Sequence, residues 1–598
     1  MTPGFFSDPQ CLAPQRVVRL DFDDGSFVLR SPQALRPYAR CIGEWLEQWA
    51  RETPDNIALA ERMPSQEWRR LSWRQLRSCV GSVAQALLDM NLPAGRPIVV
   101  LSDNAVDHAL LMLAAMHVGG TVCTVSSAYS RAASDHSKLR AIVRALDPAL
   151  IYAANADYAA AIAACESDAP VVLSAGADQV RGAIAFDTLL ACQEGRRVMQ
   201  AFEAIGPDHH AKYLLTSGST GQPKVVINTH RMLRANQQMI RQVWPFLLRE
   251  KPVLLDWLPW SHTFGGNHNL NLVLCNGGTL YIDEGRPAPP LIGKTIRNLR
   301  EVRPTLLFNV PAGFEMMLPA LEQDDALAAD IFSRLQMVFY AGAALPTSTW
   351  ARLQAVAGRV RDTPIWLTTA WGSTETAPAV TSAHWKLDGA GCIGLPLPGT
   401  ELKFVPNGAK LELRVRGVSV FPGYRDAAAQ TNEAFDHEGY YRIGDAGCLV
   451  DDAHPEQGVI FDGRVAEDFK LTTGTWVSVG TLRTRLVSAF APYAQDIVVA
   501  APDRAEIGLL LFPSAQARSL PEGELAQKIR AVLASLRAQG GGSSQCPTRV
   551  LVLSEPPSAQ GGEITDKGYL NQRAVLARRS ADVEALYADT PDARVIRA

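Results

Sequence analysis

Short apolar runs alternate with helical patterns through most of the chain. PIVVLSDN (Pro97–Asn104) predicts a strand, and HALLMLAAMHVGG (His108–Gly120), apolar at helical spacing and closed by glycines, predicts a helix. TVCTV (Thr121–Val125) predicts the next strand. ALIYA (Ala149–Ala153) and APVVLSA (Ala169–Ala175) read as buried strands, with the Ala-rich YAAAIAAC (Tyr158–Cys165) as a helix between them. The alternation resumes at VLLDWLPW (Val253–Trp260), GTLYID (Gly278–Asp283), TLLFNVP (Thr305–Pro311) and MVFYAG (Met337–Gly342). Such a pattern predicts sheets with helices on their faces.

The texture changes twice. Around Cys392 it becomes short antiparallel strands: ELKFV, LELRV and YRIGDAG. A second change falls near Phe461–Asp468. Beyond it come a helix around Leu482–Phe490, strands DIVVA and GLLLFP, a helix around Glu522–Leu536, a glycine-serine surface loop GGGSSQ (Gly540–Gln545) and a strand RVLVLS. The expected fold class is α/β: a large N-terminal domain of helix-flanked sheets with a small antiparallel subdomain (residues 1–464), then a small α+β C-terminal domain (residues 465–598).

Composition narrows the function classes. The formal net charge of −3 over 598 residues provides no basic field for nucleic acid. Ten cysteines occur without a C-x-x-C pair, which argues against a zinc site or a disulfide framework and for reduced thiols in a cytoplasmic enzyme. MTPGFFSDPQ lacks the basic and apolar regions of a secretory signal, and no apolar run is long enough to span a bilayer.

One polar interruption bears chemistry. TSGSTGQPK (Thr216–Lys224) separates the runs AKYLL and VVI. Read as a turn, its Ser, Gly, Thr and Pro need no further explanation. Yet hairpin loops usually need about two to five residues, and here about eight small polar ones lie between apolar runs. Four hydroxyls, backbone amides, two glycines and Lys224 are the parts of a phosphate cradle. The NTPase form G-x-x-x-x-G-K-[ST] is not matched. Turn and cradle both remain open on the residues alone.

The complete string T-S-G-S-T-G-x-P-K resembles the phosphate loop of the adenylate-forming superfamily, which includes acyl- and aryl-CoA synthetases, beetle luciferases and peptide-synthetase adenylation domains. Further motifs extend the resemblance from about Gly43 to Leu576. It implies phosphate contacts from Thr216, Ser217, Gly218, Ser219, Thr220, Gly221 and Lys224. WLPWSHTFGG (Trp257–Gly266) is similar to the segment whose histidine, here His262, lies beside the substrate carboxylate. AGAAL (Ala341–Leu345) corresponds to the adenine border, which implicates Gly342, Ala343 and Ala344. TAWGSTETAP (Thr369–Pro378) resembles the Tyr-Gly-x-Thr-Glu segment with Trp371 in place of tyrosine. Gly372 follows, Thr374 suits the α-phosphate, and Glu375 suits Mg²⁺ held jointly with substrate phosphates. Asp445 in YRIGDAG implies a ribose contact, and Arg464 a contact to ribose and phosphate.

The junction FDGRVAEDFKLTTGTWVSVG (Phe461–Gly480) departs from the family pattern at Ala466, and its glycine loop ends at Gly474. The pivot of a mobile C-terminal domain is therefore expected within Val465–Glu467. GGEITDKGYLNQRAVL (Gly561–Leu576) offers Lys567 as the family's C-terminal lysine. The implied catalytic set is Lys567, His262 and Glu375. The implied reaction joins a small carboxylic acid to coenzyme A at the expense of ATP, through an acyl-adenylate. Two strings, EDFKLTTGTWVSVG and GEITDKGYLNQRAVL, look most like bacterial feruloyl-CoA synthetases, which act on hydroxycinnamic acids. Other aromatic or fatty acids, a carrier-protein acceptor, a luciferase-like oxygenase and a non-catalytic nucleotide binder stand as alternatives.

Overall fold

The apolar runs assemble into three sheets whose strand ends converge on one cleft. The structure is a computed structural model that describes residues 5–598 apart from 7, 9, 132–134, 218–222, 409, 474, 503, 522, 541, 543, 559–560, 565–569, 589 and 591, and apart from the side chains at 217, 223, 466 and 481.

A seven-stranded sheet runs in the order Pro223–Thr229, His210–Ser217, Val122–Thr124, Ile98–Val100, Leu150–Ala153, Val171–Leu173, Ile184–Ala185. It is parallel except for the first pair, which forms an antiparallel hairpin. A four-stranded sheet orders Val253–Asp256, Thr279–Ile282, Ile57–Arg62 and Trp68–Ser72. The largest sheet has eleven strands. Its parallel edge is Leu306–Asn309, Met337–Tyr340 and Trp366–Gly372. From there it turns antiparallel through Ala379–Ser382, Cys392–Pro396, Val459–Arg464, Tyr441–Leu449, Lys410–Gly417 and Thr400–Asn407.

Patterning explains these choices. IVV and VCT are short, mostly β-branched and wholly buried, and VVL is buried but for Val171, as parallel strands covered on both faces require. The helix Val106–His117 buries every residue except Asp107, so its sequence is apolar around the whole circumference and not on one stripe. The mixed α/β fold expected from the alternation is present. An element the apolar pattern missed is the N-terminal hairpin Val18–Asp21/Phe27–Arg30, which adds two strands to the antiparallel edge. Its turn signal is Asp24-Gly25, with Gly25 at φ +79°, and Phe27 stacks on Phe404 at 4.4 Å.

A separate four-stranded sheet joins Ala494–Val499, Ile507–Pro513, Pro547–Val552 and Val595–Arg597. Alternation sorts its side chains. Ile497, Val499, Leu509 and Leu511 pack against helices Val479–Ala489 and Glu524–Ala538, while Val498, Leu510, Phe512 and Leu551 pack against Leu570, Val575 and Leu586. Both clusters draw on residues after 468. This unit meets the rest where Gly480 abuts Gly463: a Cβ on Gly480 would lie 2.7 Å from the Gly463 Cα. Beside that contact Lys410 Nζ donates to Ser478 Oγ at 2.9 Å and forms an ion pair with Asp468. All ten cysteines are free; Cys11, Cys41, Cys123, Cys165 and Cys275 are buried.

Candidate active site

The cleft holds about 2510 Å³. Its walls include Ser102–Asn104, Ser126, Trp257–Gly265, Asp283, Val310 and Ala341–Ala344, the segments that directly follow six parallel strands. Ligands of α/β sheets gather at such carboxyl ends because the connecting loops open there. Of the residues singled out by sequence, Thr216, Lys224, His262, Gly342, Ala343 and Ala344 line the cleft, together with Trp371, Gly372, Thr374, Glu375, Asp445 and Arg464. Gly218, Ser219, Thr220, Gly221 and Lys567 lie outside the described residues, as does the Ser217 side chain.

The polar loop is shorter than its sequence suggests. Thr216 pairs with Lys224 and Ser217 with Pro223, so the ladder continues past the apolar runs and leaves five connecting residues, 218–222. Threonine suits a strand as well as a turn, and the length argument against an ordinary hairpin fails. Lys224 sits at the loop end of the hairpin with its Nζ 4.6 Å from the Tyr424 ring centre.

One face of the cleft is built from paired charges. Asp445 and Arg464 oppose each other across neighbouring antiparallel strands. Arg464 Nε lies 2.9 Å from Asp445 Oδ1, and Trp371 Nε1 donates to Asp445 Oδ2 at 2.8 Å. Burial raises the Asp445 carboxyl while the guanidinium opposes that shift, and the carboxylate in turn raises Arg464. Each carboxylate oxygen has two lone pairs, so Asp445 keeps acceptor capacity beyond these two contacts. Trp371 thus lines the cleft and also holds the carboxylate through its indole nitrogen. Gly372 allows a close approach: a Cβ there would meet the Pro378 carbonyl oxygen at 1.8 Å.

Glu375 lies in a tight turn, Thr374–Thr376, and is buried. Its Oε1 accepts from the Tyr424 hydroxyl at 3.2 Å, and its backbone carbonyl accepts from Phe421 N at 2.8 Å. Burial, reinforced by Glu375, raises the Tyr424 phenol and keeps it a donor. Among the described residues no three His, Cys, Asp or Glu side chains cluster as a cation cage. A hard cation at Glu375 would have to take its other oxygens from phosphate and water, the arrangement magnesium favours.

A second face is rich in rings and turned tightly. Trp257–Asn269 leaves the strand Val253–Asp256 and closes in a π-helical turn, Phe264–Asn269. Added Cβ atoms on Gly265 and Gly266 would lie 2.2 Å from Leu258 O and 2.5 Å from Trp260 O, so both positions need glycine for close packing. His262 opens this turn, its carbonyl accepting from Gly266 N at 2.8 Å. Phe264, His268 and Phe339 form a wall of rings, with His268 and Phe339 stacked at 5.2 Å and Phe308 packed behind. Burial lowers the His268 pKa to about 4, so this ring is neutral at pH 7. Its Nδ1 meets Asn269 Oδ1 at 2.9 Å, and Asn269 donates to Asp256 at 2.9 Å.

Residues 46–425, more than half of the chain, match the AMP-binding enzyme family, and residues 469–591 match the AMP-binding enzyme C-terminal domain. The chain belongs to the AMP-binding enzyme family. A mitochondrial malonate–CoA ligase of Mus musculus is 25% identical over 62% of this chain. The chain spans 66% of the length of that ligase, 61% of a probable CoA ligase of Humulus lupulus and 44% of an inactive atromentin synthetase of Paxillus involutus, in each case less than two thirds. Among solved structures, ATP-bound MatB of Rhodopseudomonas palustris superposes with TM-score 0.71 at 21% identity, covering 91% of this chain and 99% of that one. An anthranilate CoA ligase, AuaEII, holding anthranoyl-AMP gives TM-score 0.72 at 18% identity, covering 92% and 98%. These likenesses establish the fold.

In this AMP-binding enzyme the C-terminal unit also reaches the cleft. Gly480, Thr484, Arg485, Gly562, Ile564 and Asn571 line it, and Ile564 bridges to Leu570 across residues 565–569. Lys470 is exposed and turned onto Trp476, with Nζ 5.0 Å from the ring centre, and is not among the lining residues. Sequence reasoning missed Tyr424, which lies 49 positions from its partner Glu375 and carries no local motif. It also missed the buried polar residues beneath the His262 turn, although Lys212 stands inside the run AKYLL, where a lysine in a buried strand is itself a signal.

Proposed function

We propose that the chain is an AMP-forming acid–thiol ligase that adenylates a carboxylic acid with ATP and transfers the acyl group to coenzyme A. The carrying observation is that a charge-paired face and a ring-lined face bound one cleft, Asp445–Arg464–Trp371 and Glu375 on one side and His262 with Phe264, His268 and Phe339 on the other. Asp445 and Arg464 take the ribose and its phosphate, the hairpin 216–224 the β- and γ-phosphates, and Ala341–Ala344 the adenine. His262 places the acid's carboxylate so that one of its oxygens attacks the α-phosphorus. That step forms the acyl-phosphate P–O bond and breaks the P–O bond to pyrophosphate. Both reactants are anionic, so their repulsion must be offset; Mg²⁺ at Glu375 would supply part of that charge when bound. Lys567 supplies another part, and each well-placed donor of this type is worth ~10²–10³ in rate. The CoA sulfur then attacks the acyl carbon, AMP leaves with the acid's former oxygen, and the thiol proton is released. Rotation of residues 465–598 about Val465–Glu467 would take Lys567 away and admit CoA, a hinge device that assembles two sites in turn.

The acid we favour is aromatic, a hydroxycinnamate such as ferulate. A malonate-like diacid would bring a second carboxylate against the rings of Phe264 and Phe339 and the neutral His268, where it would lose hydration. A flat ring gains from the same wall. The site of action would be the cytoplasm; among the described residues no helix is long and apolar enough to cross a membrane. The test is acid-dependent pyrophosphate release over a panel of hydroxycinnamic, benzoic, fatty and dicarboxylic acids, with and without CoA. Hydroxycinnamates should give the highest kcat/KM, with thioester formed when CoA is present. Release without thioester would point to a carrier-protein acceptor, and no release with any acid would end the reading.

A further inference from the structure

Beneath the two faces lies a buried polar cluster that contributes nothing to the lining of the cleft. Lys212 is 3% exposed, and Asn228 and Asn267 are fully buried. Lys212 and Asn228 oppose each other on the two strands of the hairpin that carries the polar loop. A bulge between His210 and Lys212 sets this register, and opposed residues of an antiparallel pair project from the same face of the sheet. Lys212 Nζ donates to the Gly266 carbonyl at 2.8 Å. Asn228 Nδ2 donates to the Thr374 carbonyl at 3.4 Å, and its Oδ1 accepts from Asn267 Nδ2 at 2.6 Å. Asn267 Nδ2 also reaches Thr263 Oγ1 at 3.1 Å, and Gln237 donates to the carbonyls of Asn267 and His268 at 3.1 and 3.2 Å.

Three segments far apart in sequence thus share one set of contacts: the hairpin, the turn holding His262, and the turn holding Thr374 and Glu375. A buried cation is costly, and among the described residues no carboxylate forms an ion pair with Lys212. Burial lowers its pKa to about 7. An apolar residue would fill this strand position at less cost, so the lysine's contribution is sought in the carbonyl it holds. That carbonyl belongs to Gly266, at the turn where added side-chain atoms find no room.

We infer that Lys212 and Asn228 are positioning residues that keep the His262 turn in register with the phosphate hairpin and with the Thr374–Glu375 turn. Lys212 acts on the acid side alone, and Asn228 acts on both sides because it touches both turns. The functional half of this inference rests on the ligase reading above.

The experiment uses the full-length chain with Lys212→Met, Lys212→Gln and Asn228→Ala, read by steady-state kinetics and by backbone amide exchange. In Lys212→Met the acid KM should rise about 5–20-fold with the ATP KM unchanged within about twofold, less than the whole of one hydrogen bond to a charged donor because Lys212 reaches the acid only through the turn. Exchange should quicken in peptides covering 262–269 and stay unchanged in 441–449. Lys212→Gln, which retains a donor, should recover part of the acid KM. Asn228→Ala should quicken exchange in 262–269 and in 371–376 together. Equal rises in both KM values for Lys212→Met, an unaltered acid KM, or faster exchange spread over the whole chain would overturn the assignment. Exchange needs no turnover: if the wild-type chain shows no acid-dependent pyrophosphate release, the ligase reading fails while the exchange pattern still decides whether Lys212 holds the turn.

Discussion

The two faces of the cleft are held by opposite means. On the Asp445 face the lining groups brace one another: Trp371 and Arg464 meet the same carboxylate, and Tyr424 meets Glu375. On the His262 face the lining is apolar and is braced from behind, by Lys212, Asn228, Asn267 and Asp256, none of which lines the cleft. Under the proposed function the difference follows from the surroundings each part of the ligand would need. A nucleotide's charges call for charges in contact, whereas a ring calls for rings, and rings cannot fix a turn's register by themselves. Hydrogen bonds to backbone carbonyls do that, and they have to be buried to stay clear of the ring's path.

The largest effect should come from the lysine proposed to act in adenylation. Lys567→Ala should slow acyl-adenylate formation ~10²–10³-fold while thioester formation from supplied acyl-adenylate changes little, measured by separate half-reaction assays. Equal losses in both would remove Lys567 from the adenylation step. Next, Asp445→Asn should raise the ATP KM about 10–100-fold, since hydrogen bonds to charged groups contribute about 1.5–3 kcal/mol. The acid KM should hold, and a matching rise there would mean that the faces are not independent. Phe264→Ala should lower kcat/KM for aromatic acids about 10-fold, within the ~1–3 kcal/mol that pocket contacts can discriminate. Short aliphatic acids should lose less. An equal loss for both would argue against the ring-lined wall as the specificity element.

The smallest effect is a pH slope. Lys212 is lowered from its ordinary 10.5 to about 7 in the folded chain, so its folding contribution is full above about 10.5 and declines as pH falls towards 7. Methionine carries no such term. Thermal denaturation should therefore show Tm of Lys212→Met minus Tm of wild type at its greatest at pH 7 and shrinking as pH approaches 10. A difference independent of pH would mean that Lys212 stays charged in place.

Legibility in the sequence followed the same division. The strands Val253–Asp256, Leu306–Asn309 and Met337–Tyr340 stood out as apolar runs because nearly every residue in them is buried, Thr279–Ile282 is buried on one face only, and the residues just after all four line the cleft. Trp371, Glu375, Asp445 and Arg464 were legible because they fall within short motifs that resemble those of the family, and all four line the cleft. The braces were not, because each bonds across the fold: Asn228 to Thr374 over 146 positions, Lys212 to Gly266 over 54. Position 212 did break an apolar run, but nothing local says which carbonyl a lysine there will find. The polar loop misled in length, since Thr216 and Lys224 extend the strands with side chains that read equally well as turn. The N-terminal hairpin carried a visible Asp-Gly turn, and its strands are short enough that alternation alone did not raise them above background.

The claim on which all of this depends is that the acid's own oxygen attacks the α-phosphorus. Incubation of the full-length chain with ATP, magnesium, CoA and a hydroxycinnamate labelled with ¹⁸O in its carboxylate tests it directly by mass spectrometry of the nucleotide product. One labelled oxygen should appear in AMP and none in pyrophosphate; label in inorganic phosphate with ADP as the product, or unlabelled AMP, would contradict it.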